Sequence, residues 1–286
     1  MPELPEVHAL ARYLDQRMAG HAVQRVDIVA VNALRTFAPD PSSLAGRTVT
    51  GVGRQGKYLI FDLSGPCLVL HLARGGWVRW REQLPEGRPR PGKGPLAMRL
   101  TVDGGAGIDV TEAGTQKRLA VWIVDDLDSV PGLAGLGADP LAEGFSVADL
   151  EGLLGSSGSQ LKTVLTDQRL LAGIGNAYSD EILHRARMSP FRSASSLGPD
   201  DVVRLHRAMV DTLSEAVARS EDLPAGELKD DKRAGMQVHG RTGLPCPVCG
   251  DTVRQVAFAD KSLQYCPTCQ TGGKVLADRR LSRLLK

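Results

Sequence analysis

The sequence predicts an α+β protein of several domains: an N-terminal helix leading into a β-rich domain, then a helical domain, then a small cysteine-rich hairpin. Three observations predict it. Apolar residues at helical spacing follow Pro5 as far as Met18; from His21 to Asp126 the pattern changes to short β-rich runs broken by glycine turns; and four of the five cysteines, Cys246, Cys249, Cys266 and Cys269, form two C-x2-C pairs sixteen residues apart.

Pro5 suits a first helical position, Val7, Leu10, Leu14 and Met18 share one face, and Gly20 ends the run. The runs VQRVDIVAV, TVTGVG, KYLIFDL, CLVLHLA, WVRWR, MRLTV and LAVWIV then read as strands of an antiparallel sandwich or barrel, with turns such as Asp103-Gly104-Gly105. Residues 127–145 are rich in Gly and Pro without periodicity and read as a linker. Helical spacing resumes over 161–170, 177–187 and 200–220, with Pro199 at the start of the last helix. The expected division is a β-domain over 1–126, a linker over 127–145, a helical domain over 146–235, a cysteine hairpin over 236–271 and a basic tail over 272–286.

The cysteine spacing is that of a zinc site, in which each C-x2-C knuckle gives two thiolates to one tetrahedral ion. Residues 251–265 are long enough for one β-hairpin, and Pro247, Gly250 and Pro267 suit tight turns whose backbone N–H groups face the sulfurs. One structural Zn2+ is expected to replace a core. Disulfides would suit a secreted domain, but the first twenty residues mix Glu3, Glu6, Asp15 and Arg17 among apolar positions and resemble no targeting segment. No transmembrane run is present, so a cytoplasmic protein of bacterial type is expected, with no membrane partner. A net charge of +2 argues against a general nucleic-acid coat, yet from Arg241 onward eight Lys or Arg face three Asp, a local excess of +5.

Within the helical domain, Leu171-Ala-Gly-Ile-Gly-Asn-Ala-Tyr breaks one helix and starts the next. Gly173 and Gly175 allow a ligand close to the backbone, and Asn176 is expected to cap the following helix with its free N–H groups pointing outward, a site for an anion such as a DNA phosphate. A tight turn between two packed helices accounts for the same residues. No G-x4-G-K-[ST] is present, which argues against a nucleoside triphosphate. The histidines show no metal-binding pairing, and Cys67, Trp77, Trp80 and Trp122 lie in strand-like runs that suit packing.

Three separated segments together resemble the formamidopyrimidine-DNA glycosylases and endonuclease VIII enzymes of base excision repair: Met1-Pro-Glu-Leu-Pro-Glu-Val, LKTVLTDQRLLAGIGNAYSDEIL, and VHGRTGLPCPVCG followed by YCPTCQ. The resemblance spans almost the whole chain. It implies a β-sandwich, a domain built on a helix, two turns and a helix, and a zinc β-hairpin, with a monomer bound to double-stranded DNA that carries damaged bases or abasic sites. Once Met1 is removed, Pro2 is a secondary amine with a pKa a few units below that of Lys, and so a nucleophile near neutral pH. The resemblance implies that it attacks C1′, expels the base and forms an iminium, after which β,δ-elimination cleaves the strand. It implies Glu3 as proton donor, Glu6 as its support, Lys57 in Arg54-Gln-Gly-Lys as a phosphate contact near the lesion, and Asn176 with the Gly173 to Gly175 turn, joined by Lys162, on the flanking phosphates.

The sequence departs from the family pattern in three places. Lys261 stands where the zinc hairpin usually carries an Arg, which keeps the charge and loses the planar fork. Where family members fill the space of the extruded base with a Met or Leu and with an Arg and Phe, this chain has Arg74 and the aromatic-free segment 111–118. Residues 221–235, which the resemblance places over the base pocket, are charged and unlike those of 8-oxoguanine enzymes. These departures motivate a second reading, a paralogue that binds damaged or abasic DNA with lyase activity only or without glycosylase activity.

Overall fold

The structure is a computed structural model and describes residues 1–90, 92, 94–221, 223–258 and 262–277. It divides into two compact units, Met1–Leu136 with Val217–Lys229, and Gly137–Ala216 with Asp230–Lys286.

The first unit begins with helix α1 (Leu4–Met18), which takes Pro5 in its first turn and buries Leu4, Val7, Leu10, Leu14 and Met18. Strands β1 (Val23–Ile28), β2 (Val49–Gln55), β3 (Tyr58–Leu63), β4 (Cys67–His71), β5 (Gly76–Arg81), β6 (Leu96–Val102), β7 (Gly107–Glu112) and β8 (Ala120–Val124) follow. They form two antiparallel four-stranded sheets, ordered β1-β6-β7-β5 and β2-β3-β4-β8. Val26, Val78, Leu100 and Val110 of one sheet and Leu59, Phe61, Leu70 and Val121 of the other share a single core with the apolar face of α1, so of the two arrangements open to the sequence the structure is the sandwich.

The second sheet is covered on both faces. Ile60, Val69 and Trp122 point away from the shared core and pack with Val130 and Leu133, which belong to the stretch that reads as a linker. Double coverage explains why the runs LIF, LVL and AVWIV are continuous rather than alternating. Strand β7 is the one that the sequence does not announce. It carries Asp109, Thr111 and Glu112 after a glycine turn, and its polarity is satisfied by the register that sets Asp109 opposite Arg99, with a two-pronged pairing at 2.7 and 3.1 Å.

The second unit holds α2 (Val147–Gly155), whose N-terminus is closed by a Ser146–Asp149 capping box, α3 (Leu161–Thr166) and α4 (Asn176–Arg185). Helix α5 (Pro199–Ser220) starts in this unit, and its last residues from Val217 belong to the first. The segment after it returns to the sandwich core through Ala225 and Leu228 before α6 (Leu228–Gly235) leads back to the second unit. Strands β9 (Arg254–Ala257) and β10 (Ser262–Tyr265) form the expected antiparallel hairpin, and the short α7 (Pro267–Thr271) follows. Among the described residues no helix is long and apolar enough to cross a membrane.

Candidate active site and nucleic-acid interface

In the first unit, the candidate catalytic residues gather at the start of α1. Pro2 is buried, Met1 before it is 48% exposed, and Glu3 and Glu6 are buried at 2% and 1%. The Glu6 carboxylate accepts the Glu3 backbone N–H at 2.8 Å, closing the first turn back on itself. Two carboxylates are thereby held beside the imino acid, at the end of a helix whose dipole favours negative charge.

Lys57 occupies the turn between β2 and β3, after Gly56 at φ +54°, and is itself buried. Its charge is felt by His71 at the end of β4: burial foremost, with the Lys57 ammonium, pushes His71 down to about 4, so that its imidazole is neutral at physiological pH. His71 also lies 4.8 Å from the Tyr58 ring. His71 forms no metal-binding pair in the sequence; its place opposite Tyr58 in the β3–β4 register is what brings it to Lys57.

Arg74 is exposed in the turn between β4 and β5, where Ala73 is left-handed at φ +48°. The next two residues must be glycine, because a Cβ on Gly75 would stand 2.3 Å from the Ala113 carbonyl oxygen and one on Gly76 2.1 Å from that of Leu72. Ala113 donates its N–H to the Gly75 carbonyl at 3.0 Å, so the Arg74 turn and the segment 111–118 are joined. Buried Glu112 fixes that segment by accepting the N–H groups of Arg118 and Leu119 at 2.7 and 2.8 Å, leaving residues 113–118 exposed. Cys67, by contrast, is half-buried at the opposite end of β4; burial and a hydrogen bond to Asp62 push its thiol up to about 11.

In the second unit, the glycine turn precedes α4 as expected, with Gly173 at φ +90°. Asn176 does not cap the helix. Gly175 is the N-cap, and the Asn176 side chain instead donates to the Ser262 carbonyl of β10 at 2.7 Å. The Gly173 N–H is taken by the Gln168 side chain at 3.0 Å, which also donates to the Ile174 carbonyl at 2.7 Å, so the turn is braced from within. Lys162 points inward too: its ammonium donates to the Asn176 carbonyl at 2.7 Å and pairs with Asp180 at 2.5 Å, with Asp180 1% exposed. Lys261 and residues 278–286 of the basic tail lie outside the described residues.

Helix α4 then carries two buried carboxylates that the sequence does not mark as special. Asp180 receives His239 Nδ1 at 2.7 Å and the Gln264 N–H at 3.2 Å. Glu181 accepts three consecutive backbone N–H groups, from Gln237, Val238 and His239, at 2.8, 3.0 and 2.8 Å. Burial raises its pKa, against the lowering effect of those three donors.

The four cysteine sulfurs lie within 4.8 Å of one another, with Cys246 and Cys266 buried. Four thiol groups so close, none bridged as a disulfide, are the donor set of a tetrahedral zinc. Asp251 braces the two knuckles by accepting the Thr252 N–H at 2.7 Å and the Thr268 hydroxyl at 2.8 Å. The chain therefore holds one structural zinc, which no other cluster among the described residues could bind.

This fold, with a helix-led sandwich, a helix–two-turn–helix unit and a zinc hairpin, is matched domain by domain. Residues 1–115 match the formamidopyrimidine-DNA glycosylase N-terminal domain, 136–223 its H2TH domain, and 243–272 a zinc finger found in FPG and IleRS. A formamidopyrimidine-DNA glycosylase of Moorella thermoacetica is 36% identical over 270 residues, covering 90% of this chain and 94% of its own. An uncharacterized formamidopyrimidine-DNA glycosylase-like protein of Mycobacterium tuberculosis is 62% identical over 151 residues, 53% of this chain and 94% of that one. Among solved structures, the Lactococcus lactis enzyme bound to DNA containing an abasic site superposes with a TM-score of 0.80 at 25% identity, covering 94% of this chain and 99% of that one. The chain belongs to the formamidopyrimidine-DNA glycosylase family.

Proposed function

We propose that the protein is a bifunctional DNA glycosylase and abasic-site lyase of base excision repair, acting as a monomer on double-stranded DNA. The observation that carries this reading is the buried Pro2, Glu3 and Glu6 at the start of α1. With Met1 removed, the Pro2 nitrogen attacks C1′ of the damaged nucleotide, the C1′–N bond breaks, and the base leaves with a proton. Glu3 donates the proton that opens the sugar ring, while Glu6 holds the Glu3 backbone. The resulting iminium draws electrons from C2′, whose proton is lost as the 3′ phosphate leaves; the 5′ phosphate follows by δ-elimination.

Lys57 supplies a fixed positive charge for a phosphate beside the lesion. The Gly173 to Gly175 turn and Asn176, at the positive end of α4, hold the flanking phosphates, with Lys162 supporting the turn from behind and Lys261 adding charge from the zinc hairpin. Arg74 enters the space of the extruded base, with segment 113–118 beside it. The zinc holds the hairpin in shape and takes no part in the chemistry.

A specific observation keeps the lyase-only reading in view: residues 113–118, exposed next to Arg74, offer no apolar side chain long enough to fill a vacated base position. Duplexes carrying a formamidopyrimidine, 8-oxoguanine, an oxidised pyrimidine or an abasic site separate the two. Incision at an intact lesion, leaving phosphate at both ends of the gap, is the expected result. Incision of the abasic duplex alone favours the second reading, and duplex binding without incision of any substrate overturns the first.

A further inference from the structure

We propose that His184 is a positioning residue of the zinc site, its imidazole N–H donating to the Cys246 thiolate and fixing that sulfur against helix α4. His184 is buried, and its Nε2 lies 3.3 Å from Cys246 Sγ, inside the range of an N–H···S hydrogen bond. A zinc-bound thiolate only accepts, so this nitrogen carries the proton.

Two of the other three thiolates show why the contact matters. Cys266 accepts the Cys269 N–H at 3.5 Å and Cys249 accepts the Asp251 N–H, the backbone donors that tight knuckle turns supply. Cys246, 2% exposed, carries its share of the thiolate charge out of reach of solvent, and the donor on its sulfur is a side chain from a helix outside the finger. His184 is also the last member of a line on α4. Asn176, Asp180 and His184 are spaced by four and share one face. Asn176 donates to the Ser262 carbonyl, Asp180 accepts the Gln264 N–H, and His184 reaches Cys246, so one helix face grips β10 and the first knuckle in succession. Gln270 reaches the loop after the same helix, donating to the Met188 carbonyl at 2.9 Å while accepting the Cys266 N–H at 2.9 Å. The helix that begins at the phosphate turn thus ends on a metal ligand.

The test uses the full chain with its zinc bound. Zinc transfer to a chromophoric chelator is timed at fixed pH for wild type, H184F and H184Q, and the sulfur-to-metal charge-transfer band is recorded for the same proteins substituted with Co2+. Phe keeps the ring and loses the donor; Gln places an amide N–H near the position of Nε2. The expected result is release about 10- to 100-fold faster from H184F, the usual effect of losing an outer-shell partner, with a shifted Co2+ band, and near-wild-type behaviour for H184Q. Should H184F not fold, H184N, whose amide falls short of the sulfur, takes its place with the same expectation. Wild-type release from the donorless variant, or equally fast release from H184Q, overturns the proposal.

Discussion

Trp77 of β5 donates its indole N–H to the Ala225 carbonyl at 2.8 Å, tying the sandwich to a segment 148 residues further along. Lys229 lies over the same ring at 4.5 Å, and Ala225 and Leu228 are buried in the sandwich core. The residues after α5 are therefore an integral layer of the first unit, next to the strand that follows the Arg74 turn.

Trp77→Phe keeps an aromatic ring under Lys229 but removes the indole donor together with its five-membered ring, leaving the Ala225 carbonyl without this partner. The expected loss is about 1–3 kcal/mol of stability, read by chemical denaturation, with faster amide exchange over residues 223–229. Unchanged exchange there would mean that the segment is held by other contacts.

His71 gives the sandwich a pH dependence. Its folded pKa of about 4 lies below the ordinary value of 6.5, so the unfolded chain binds the extra proton first. The stabilising contribution is complete above about 6.5 and is lost as pH falls towards about 4, to a total of up to about 3 kcal/mol. Denaturation curves across that window check it: His71→Asn flattens the slope, and Lys57→Met, by removing a like charge, reduces it.

Asp180 is 1% exposed on its side chain and joins Lys162, His239 and the Gln264 N–H. Asp180→Ala leaves the Lys162 ammonium without this partner and is expected to cost about 3–5 kcal/mol. Thermal unfolding measures the loss, and Asp180→Asn, which keeps an acceptor, falls between the two. A loss below about 1 kcal/mol, the range of exposed pairs, would show that the pair is solvated.

The sequence makes the local features readable and leaves the long-range ones hidden. The α1 face, the strands, the glycine turn and the zinc ligands are written in spacing and turn chemistry, within a few residues of one another. Strand β7 escapes because its polar residues make sense only once Arg99 lies opposite Asp109. Residues 127–136 read as a linker because Val130 and Leu133 have no periodicity of their own; the outer face of the second sheet gives them a place. Asn176 looks like a helix cap, and only the arrival of Ser262, 86 residues later, shows where its amide goes. Glu181 and His184 look like ordinary helical residues until the 237–239 backbone and Cys246 are brought against them.

The central claim is that the Pro2 nitrogen is the nucleophile, and borohydride trapping tests it most directly. An abasic duplex incubated with protein whose Met1 has been removed, then reduced, is predicted to give a covalent adduct whose peptide mass places the sugar on Pro2. Incision that continues unabated when Met1 is retained, or an adduct mapped to Lys57 instead, would contradict the account.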